Sequence, residues 1–175
     1  MAHLTRFLIQ DHARINRAFD AYSKAPTNLQ SALNACAELE VHATIEEELV
    51  YPILRDELDA DAADHAEEEH AEFKELIAAV QDLEPGDSEL PELMEQLMRL
   101  VAEHVEEEET TVIPRLQSHL GPRVWDIGRE AFGLRQELLG EGDRPGAEPK
   151  PVARQGLAAN AGWSGGYDAV ANAGW

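Results

Sequence analysis

Cysteine is almost missing from this sequence. One residue, Cys36, in a chain of 175 leaves no partner for an internal disulfide, so no covalent staple inside the chain holds the fold. A lone thiol suits a reducing compartment, and a chain of this length can bury a core without cross-links. Basic residues are scarce too: 14 Lys and Arg face 35 Asp and Glu, a net charge of −21. Such a surface repels the phosphates of nucleic acid and of anionic membranes, so neither is an expected partner. It also concentrates cations such as Fe2+. No apolar run approaches the roughly 20 residues that a membrane span requires. Met1 to Gln10 has one basic residue and no apolar run of signal-peptide length, so no secretory leader is read there and the expected location is cytoplasmic. Glycine is sparse before residue 140, and no stretch alternates apolar and polar residues as strands do.

What is present is helix-forming sequence, rich in Ala, Leu, Glu and Gln. The punctuation predicts helix 1 from about Thr5 to Lys24, ended by Pro26, and helix 2 from about Asn28 to Leu58, with Thr27 or Asn28 as cap. Helix 3 begins near Asp61 or Asp64, either a suitable N-cap, and runs to about Asp82. After the turn Glu84-Pro85-Gly86-Asp87, helix 4 runs from near Ser88 to Leu120, where Gly121-Pro122 stops it. A shorter fifth helix, about Arg123 to Leu139, carries Val124, Ile127, Ala131, Phe132 and Leu138 as its apolar stripe. Beyond Gly140 the composition turns to Gly, Pro and charge, then to Gly, Ala, Asn and aromatics with two copies of Ala-Asn-Ala-Gly-Trp. The expected fold class is all-α: an antiparallel up-down four-helix bundle over residues 1–120, an accessory helix over 121–140, and a flexible linker and tail over 141–175.

The informative feature is an internal repeat. At an offset of 62, His42 to Leu54 (HATIEEELVYPIL) aligns with His104 to Leu116 (HVEEEETTVIPRL), and Glu46/Glu108, Glu47/Glu109, Val50/Val112, Pro52/Pro114 and Leu54/Leu116 coincide. A weaker match at 58 pairs Asp11-His12-Ala13 with Glu69-His70-Ala71. Two αα-hairpins packed face to face are the architecture such duplication implies. Helical spacing puts Leu8, His12, Ile15, Phe19 and Tyr22 on one face of helix 1. Leu39, His42, Glu46, Leu49 or Val50, and Ile53 share a face of helix 2, Ala66, His70, Phe73, Ile77 and Val80 one of helix 3, and Leu97, Val101, His104, Glu108 and Val112 one of helix 4. Each stripe is interrupted by a histidine, and two also by a glutamate. A lone carboxylate in a core must be paired or bound to metal.

His12 lies about 12 residues before the end of helix 1 and His42 about 14 after the start of helix 2. At 1.5 Å per residue each leg is roughly 20 Å, so antiparallel helices bring the two to one level. His70 and His104 lie about 12 and about 16 residues from the ends that face their own turn, a similar pair of legs. Four imidazoles and two carboxylates converging on one layer suit iron, since carboxylate stabilises the ferric state, better than structural zinc, which favours four ligands and often cysteine. The candidate ligands are His12, His42, Glu46, His70, His104 and Glu108. His65 and Glu69 also show the His-x-x-x-Glu spacing but lack the downstream Val and Pro, and are set aside. A ferritin-like pair of Glu-x-x-His motifs is not found: Glu67 and His70 supply one copy only. A metal-free bundle with a buried His/Glu hydrogen-bond network is the competing reading.

The series His12, His42-x-x-x-Glu46 with Tyr51-Pro52, His70, His104-x-x-x-Glu108 with Ile113-Pro114 resembles the hemerythrin-like, or HHE cation-binding, family over about residues 1–120. The resemblance implies an up-down four-helix bundle with two non-haem iron ions (Fe2+/Fe3+), oxo- or hydroxo-bridged, and function in dioxygen binding, oxygen or iron sensing, iron handling, or defence against peroxide or nitric oxide. The oxygen carriers have a second histidine four residues after that of helix 3, where this chain has Lys74, and an aspartate five residues after that of helix 4, where it has Glu109. One iron is then left with an open or substituted position. Tyr51 and Glu47 are candidates to fill it; otherwise Tyr51 is ordinary packing, and Glu47 and Glu109 are solvated.

Two functional readings follow. One is a redox-active di-iron protein reacting with O2, peroxide or nitric oxide, with catalase-like or other oxidoreductase activity. The other is a non-enzymatic oxygen or iron sensor, carrier or storage protein. Some members of the family it resembles are cargo of protein shells, so residues 156–175 are a candidate docking segment for a protein partner. His3, His119 and Cys36 read as structural, and Pro52 and Pro114 as bends in their helices.

Overall fold

The structure, a computed structural model, describes residues 3–140; the expected linker and tail with its two repeated motifs lie outside the described residues. The described chain is all-α, with five helices and no strand. Helix α1 spans Leu4–Ser23. Helix α2 spans Leu29–Ile45 and continues through a π-helical stretch, Glu46–Val50, a short α piece, Tyr51–Ile53, and a second π stretch, Leu54–Leu58. Helix α3 spans Ala60–Gln81. Helix α4 spans Leu90–Glu107 and continues through the π stretch Glu108–Val112 into Ile113–Leu120. Helix α5 spans Arg123–Leu138.

Most ends follow from local chemistry. Asn28 caps α2 by accepting from the Ser31 amide at 3.1 Å, as its short polar side chain predisposes it to do. Gly121 ends the fourth helix at φ +51°, the left-handed region where a Cβ is penalised. The cap of α3 is Asp59, not Asp61 or Asp64. Asp59 is extended, at φ −161° and ψ 97°, and accepts from the Ala62 amide at 3.1 Å. The π stretch before it carries the chain to that residue, while Asp61 falls within the first turn and Asp64 pairs with Arg55.

The prolines coincide with a change of register rather than a plain bend. In each repeat half a π turn directly precedes the X-Pro pair, and the N–H of Tyr51 or Ile113 reaches back to the carbonyl of Glu46 or Glu108. A π turn holds more residues than an α turn, so the buried face slips by one position. Val50, Tyr51 and Leu54 are buried where α-periodicity pointed to Val50 and Ile53, and Val112, Ile113 and Leu116 repeat the shift 62 positions later.

The core has two apolar clusters. One holds Ile15, Phe19, Leu39, Phe73, Leu97 and Val101; the other holds Leu8, Ile45, Val50, Ala66, Val112 and Leu116. Helices α1 to α4, with their π-helical continuations, each give residues to both clusters, whereas the buried apolar residues of α5 all belong to the second. Helix α1 packs on α2, α3 packs on α4 and α2, and α5 lies against α1 and α2. The α5 stripe differs from its expected form: Val124, Ile127 and Ala131 are buried, but Phe132 is 52% exposed, and the buried polar residue is Arg135. Arg135 faces inward because it meets the carboxylates of Glu38, at 2.5 Å, and Asp11, at 3.4 Å. Among the described residues no helix is long and apolar enough to cross a membrane.

Candidate metal centre

All six residues singled out by the repeat, His12, His42, Glu46, His70, His104 and Glu108, are buried in the layer between the two apolar clusters. They form two groups of possible ligand atoms, each within 4.8 Å: His12, His42, Glu46 and Glu108, then Glu46, His70 and His104. Glu46 belongs to both. Its Oε2 lies 3.1 Å from His42 Nε2, 3.5 Å from His70 Nε2 and 3.9 Å from His104 Nε2. Glu108 Oε2 lies 3.2 Å from His12 Nε2 and 3.8 Å from His104 Nε2. Two donors about 2.1 Å from one ion stand about 3 to 3.5 Å apart, so these spacings fit shared ions closely.

The outer edges of the imidazoles explain why the inner nitrogens converge. His12 Nδ1 bonds Glu109 at 2.8 Å, His70 Nδ1 bonds Glu47 at 3.0 Å, and His104 Nδ1 bonds Glu69 at 2.7 Å. An ionised carboxylate only accepts, so each Nδ1 carries the hydrogen, and a neutral ring then presents the Nε2 lone pair inward. Such outer partners orient and strengthen metal-binding histidines. The expectation that Glu47 and Glu109 are simply solvated is therefore corrected, and Glu47 bonds the far edge of His70 rather than facing the inner layer. Their roles cross between the halves: Glu47 of the first serves His70 of the second, and Glu109 of the second serves His12 of the first. Lys74, at the place of the carriers' extra histidine, holds Glu47 at 2.5 Å.

The fourth histidine breaks this symmetry. By the repeat, Asp11 stands where Glu69 stands, and Glu69 serves His104. But the shorter Asp11 pairs with Arg14 and Arg135, and among the described residues His42 Nδ1 has no hydrogen-bond partner. Sequence reasoning missed Glu69, which it dismissed with His65, and also Asp11 and Arg135. A usable signal was there: Glu69 adjoins His70, as Glu47 adjoins Glu46 and Glu109 adjoins Glu108.

Tyr51 is fully buried in the layer. Its oxygen lies 2.9 Å from His70 Nε2 and 3.3 Å from Glu46 Oε2. Tyr51 is thus more than packing, and it reaches the layer because the π turn rotates it there. Burial, then the nearby Glu46 and Glu108 carboxylates, raise its pKa well above the ordinary phenol value.

Electrostatics show what the layer needs. Burial pushes the Glu46 carboxyl up, but His42, His104 and His70 outweigh it and hold the pKa well below the usual range. Burial pushes His12 and His104 down, but the carboxylates raise them to about 9 and about 10. His70 goes the other way, lowered by burial and by His104 against the pull of Glu47. Positive charge is therefore held in this layer, by protons when nothing else supplies it. His12 Nε2, His42 Nε2, Glu46 Oε1 and Glu108 Oε2 are buried without a hydrogen bond among the described residues; the approaches of His42 Nε2 to Glu46 Oε2, at 3.1 Å, and of His12 Nε2 to Glu108 Oε2, at 3.2 Å, lack hydrogen-bond alignment. Each such atom costs about 1 to 3 kcal/mol, and a cation held by His12, His42, Glu46 and Glu108 would offset that cost. The donor set and these orphaned atoms fit bound metal.

Against known proteins, the hemerythrin HHE cation binding domain matches residues 3–116, and the chain belongs to that family. A protein of Nostoc sp. (strain PCC 7120) named DNA nickase is 26% identical over 113 residues, covering 63% of this chain and 32% of that protein. An uncharacterized hemerythrin-like protein of Schizosaccharomyces pombe is 28% identical over 117 residues, covering 65% of this chain and 58% of the relative. The match thus spans less than two thirds of the length of either relative. No solved structure matches the chain.

Proposed function

We propose that the chain is a redox-active di-iron protein of the cytoplasm, built as an antiparallel up-down four-helix bundle, that reacts with O2, peroxide or nitric oxide. The observation that carries this is the pair of buried His/Glu groups sharing Glu46. His12, His42, Glu46 and Glu108 would hold one ion; Glu46, His70 and His104 the other, with the Tyr51 oxygen completing its donors. Bound iron would supply the electron transfer to a small oxidant. The chain contributes the rest: Glu47, Glu69 and Glu109 orient the rings, and the apolar clusters on either side keep water from the layer.

Lys74 in place of a further histidine favours reaction over stable reversible carriage. The second reading, a non-enzymatic sensor, carrier or store, predicts stoichiometric uptake of oxygen that reverses under vacuum. Catalytic loss of peroxide, abolished in His104→Ala, supports the first. The activity named for the Nostoc protein belongs to that protein; the net charge of −21 opposes DNA binding here.

The test is metal content with the optical spectrum. About two irons per chain are expected, with near-ultraviolet charge-transfer absorption, both lost in Glu46→Ala/Glu108→Ala. Iron-free protein, or zinc that the double substitution leaves in place, sinks the reading.

A further inference from the structure

Outside the buried layer, a third group of ligand-type atoms lies on the α3–α4 surface. His65 and Glu69 stand one turn apart on α3, and Glu107 faces them from α4. His65 Nε2 is 3.6 Å from Glu69 Oε1 and 3.8 Å from Glu107 Oε2, and the three donors lie within 4.8 Å of one another. The pair set aside in the sequence as an incomplete motif is thus completed by a residue from another helix.

Three features separate this group from an ordinary acidic surface. An imidazole stands between two carboxylates, the donor mixture that first-row transition ions favour. Neither carboxylate is paired with Lys or Arg among the described residues, whereas neighbouring Asp64 and Glu67 are both held by Arg55. And Glu69 is held in place: its other oxygen, Oε2, takes the His104 Nδ1 hydrogen at 2.7 Å. The two imidazole-to-carboxylate separations exceed by up to a few tenths of an ångström the roughly 3.5 Å of donors sharing a small divalent ion. Exposed side chains close that gap by small rotations.

We propose that His65, Glu69 and Glu107 form a peripheral site for a divalent first-row transition ion, joined to the buried layer through the Glu69 carboxylate. The site faces solvent, with His65 and Glu107 each about half exposed, so an ion enters without the helices opening, and water fills the remaining positions. Glu69 then has an oxygen on the outer ion and an oxygen on His104, one imidazole away from the inner donors. Binding at the outer group stands on its own residues; only the junction rests on the di-iron reading.

The full chain, as purified, is dialysed against graded Co2+, and iron and cobalt per chain are counted by elemental analysis. Wild type is expected to gain one Co2+ with no loss of iron. His65→Ala/Glu107→Gln keeps Glu69 on His104, should keep its iron and helical circular dichroism, and should bind that Co2+ at least tenfold more weakly. Equal cobalt uptake by the two proteins, or uptake matched by iron loss in wild type, overturns the proposal. Failure of the di-iron reading shows separately, as iron content that Glu46→Ala/Glu108→Ala leaves unchanged.

Discussion

At Tyr51 the two repeat halves differ, since Ile113 holds the matching place. Both side chains are buried, but only the phenol brings an oxygen to the inner nitrogens. Tyr51→Phe removes that oxygen and keeps the ring. We expect the variant to bind as much iron as wild type and to lose a visible phenolate-to-iron band from the ferric spectrum; the same band in both proteins excludes Tyr51 as a ligand. Glu40 gives a second residue-scale prediction. Burial raises its carboxyl to about 7, partly offset by the hydrogen bond from Gln81. Because its folded pKa exceeds the unfolded value near 4.5, the folded state holds the proton more tightly. That advantage is complete at acid pH and is lost as pH rises through 7. Glu40→Gln keeps the acceptor and removes the titration. Its free energy of unfolding should gain on that of wild type between pH 5 and 8, by about 1 kcal/mol once partial exposure to water is allowed for, read as a rising difference in urea midpoint. A constant difference across that range refutes the assignment.

For elements, the main lesson concerns the π turns. Apolar periodicity located the buried faces of α1, α3 and α4 up to Glu108, because these stretches keep ordinary α-helical register. It failed after Glu46, where the register changes ahead of Pro52, and so undervalued Tyr51. Nothing in the period itself announces an extra residue; the repeated Pro52/Pro114 frame was its visible trace. The same register change moved the cap of α3. Asp59→Ala should lower the melting temperature clearly, since it removes both the Ala62 amide bond and the 2.9 Å pair with Arg115. Asp61→Ala and Asp64→Ala should do so less; equal effects from all three substitutions count against Asp59 as the cap.

On the scale of the whole molecule, α5 is more than an appendage. It lies beyond the matched family region, yet packs on α1 and α2 and sends Arg135 into the protein beside Asp11. Arg135→Met keeps much of the apolar stem but leaves Asp11 with Arg14 alone. Removing one partner of a buried pair costs about 3 kcal/mol, which urea unfolding would read as a lower midpoint. Adding Asp11→Asn, which removes the buried carboxylate that Arg135 no longer faces, should recover part of the loss. An unchanged midpoint in the single variant means that the contact contributes nothing to stability.

The sequence alone determined the all-helical class, the family, and the six histidines and glutamates of the inner layer. Each of these depends on spacing along the chain: helical period, the repeat at 62 residues, and similar leg lengths around each turn. Only the tertiary structure decided which carboxylate orients which ring, why His42 lacks such a partner, that Tyr51 enters the layer, and that Glu107 completes the His65 and Glu69 pair. Those contacts join residues on different helices. They depend on how far each helix is rotated about its own axis, and an extra residue in one turn, or one methylene between Asp and Glu, is enough to change them.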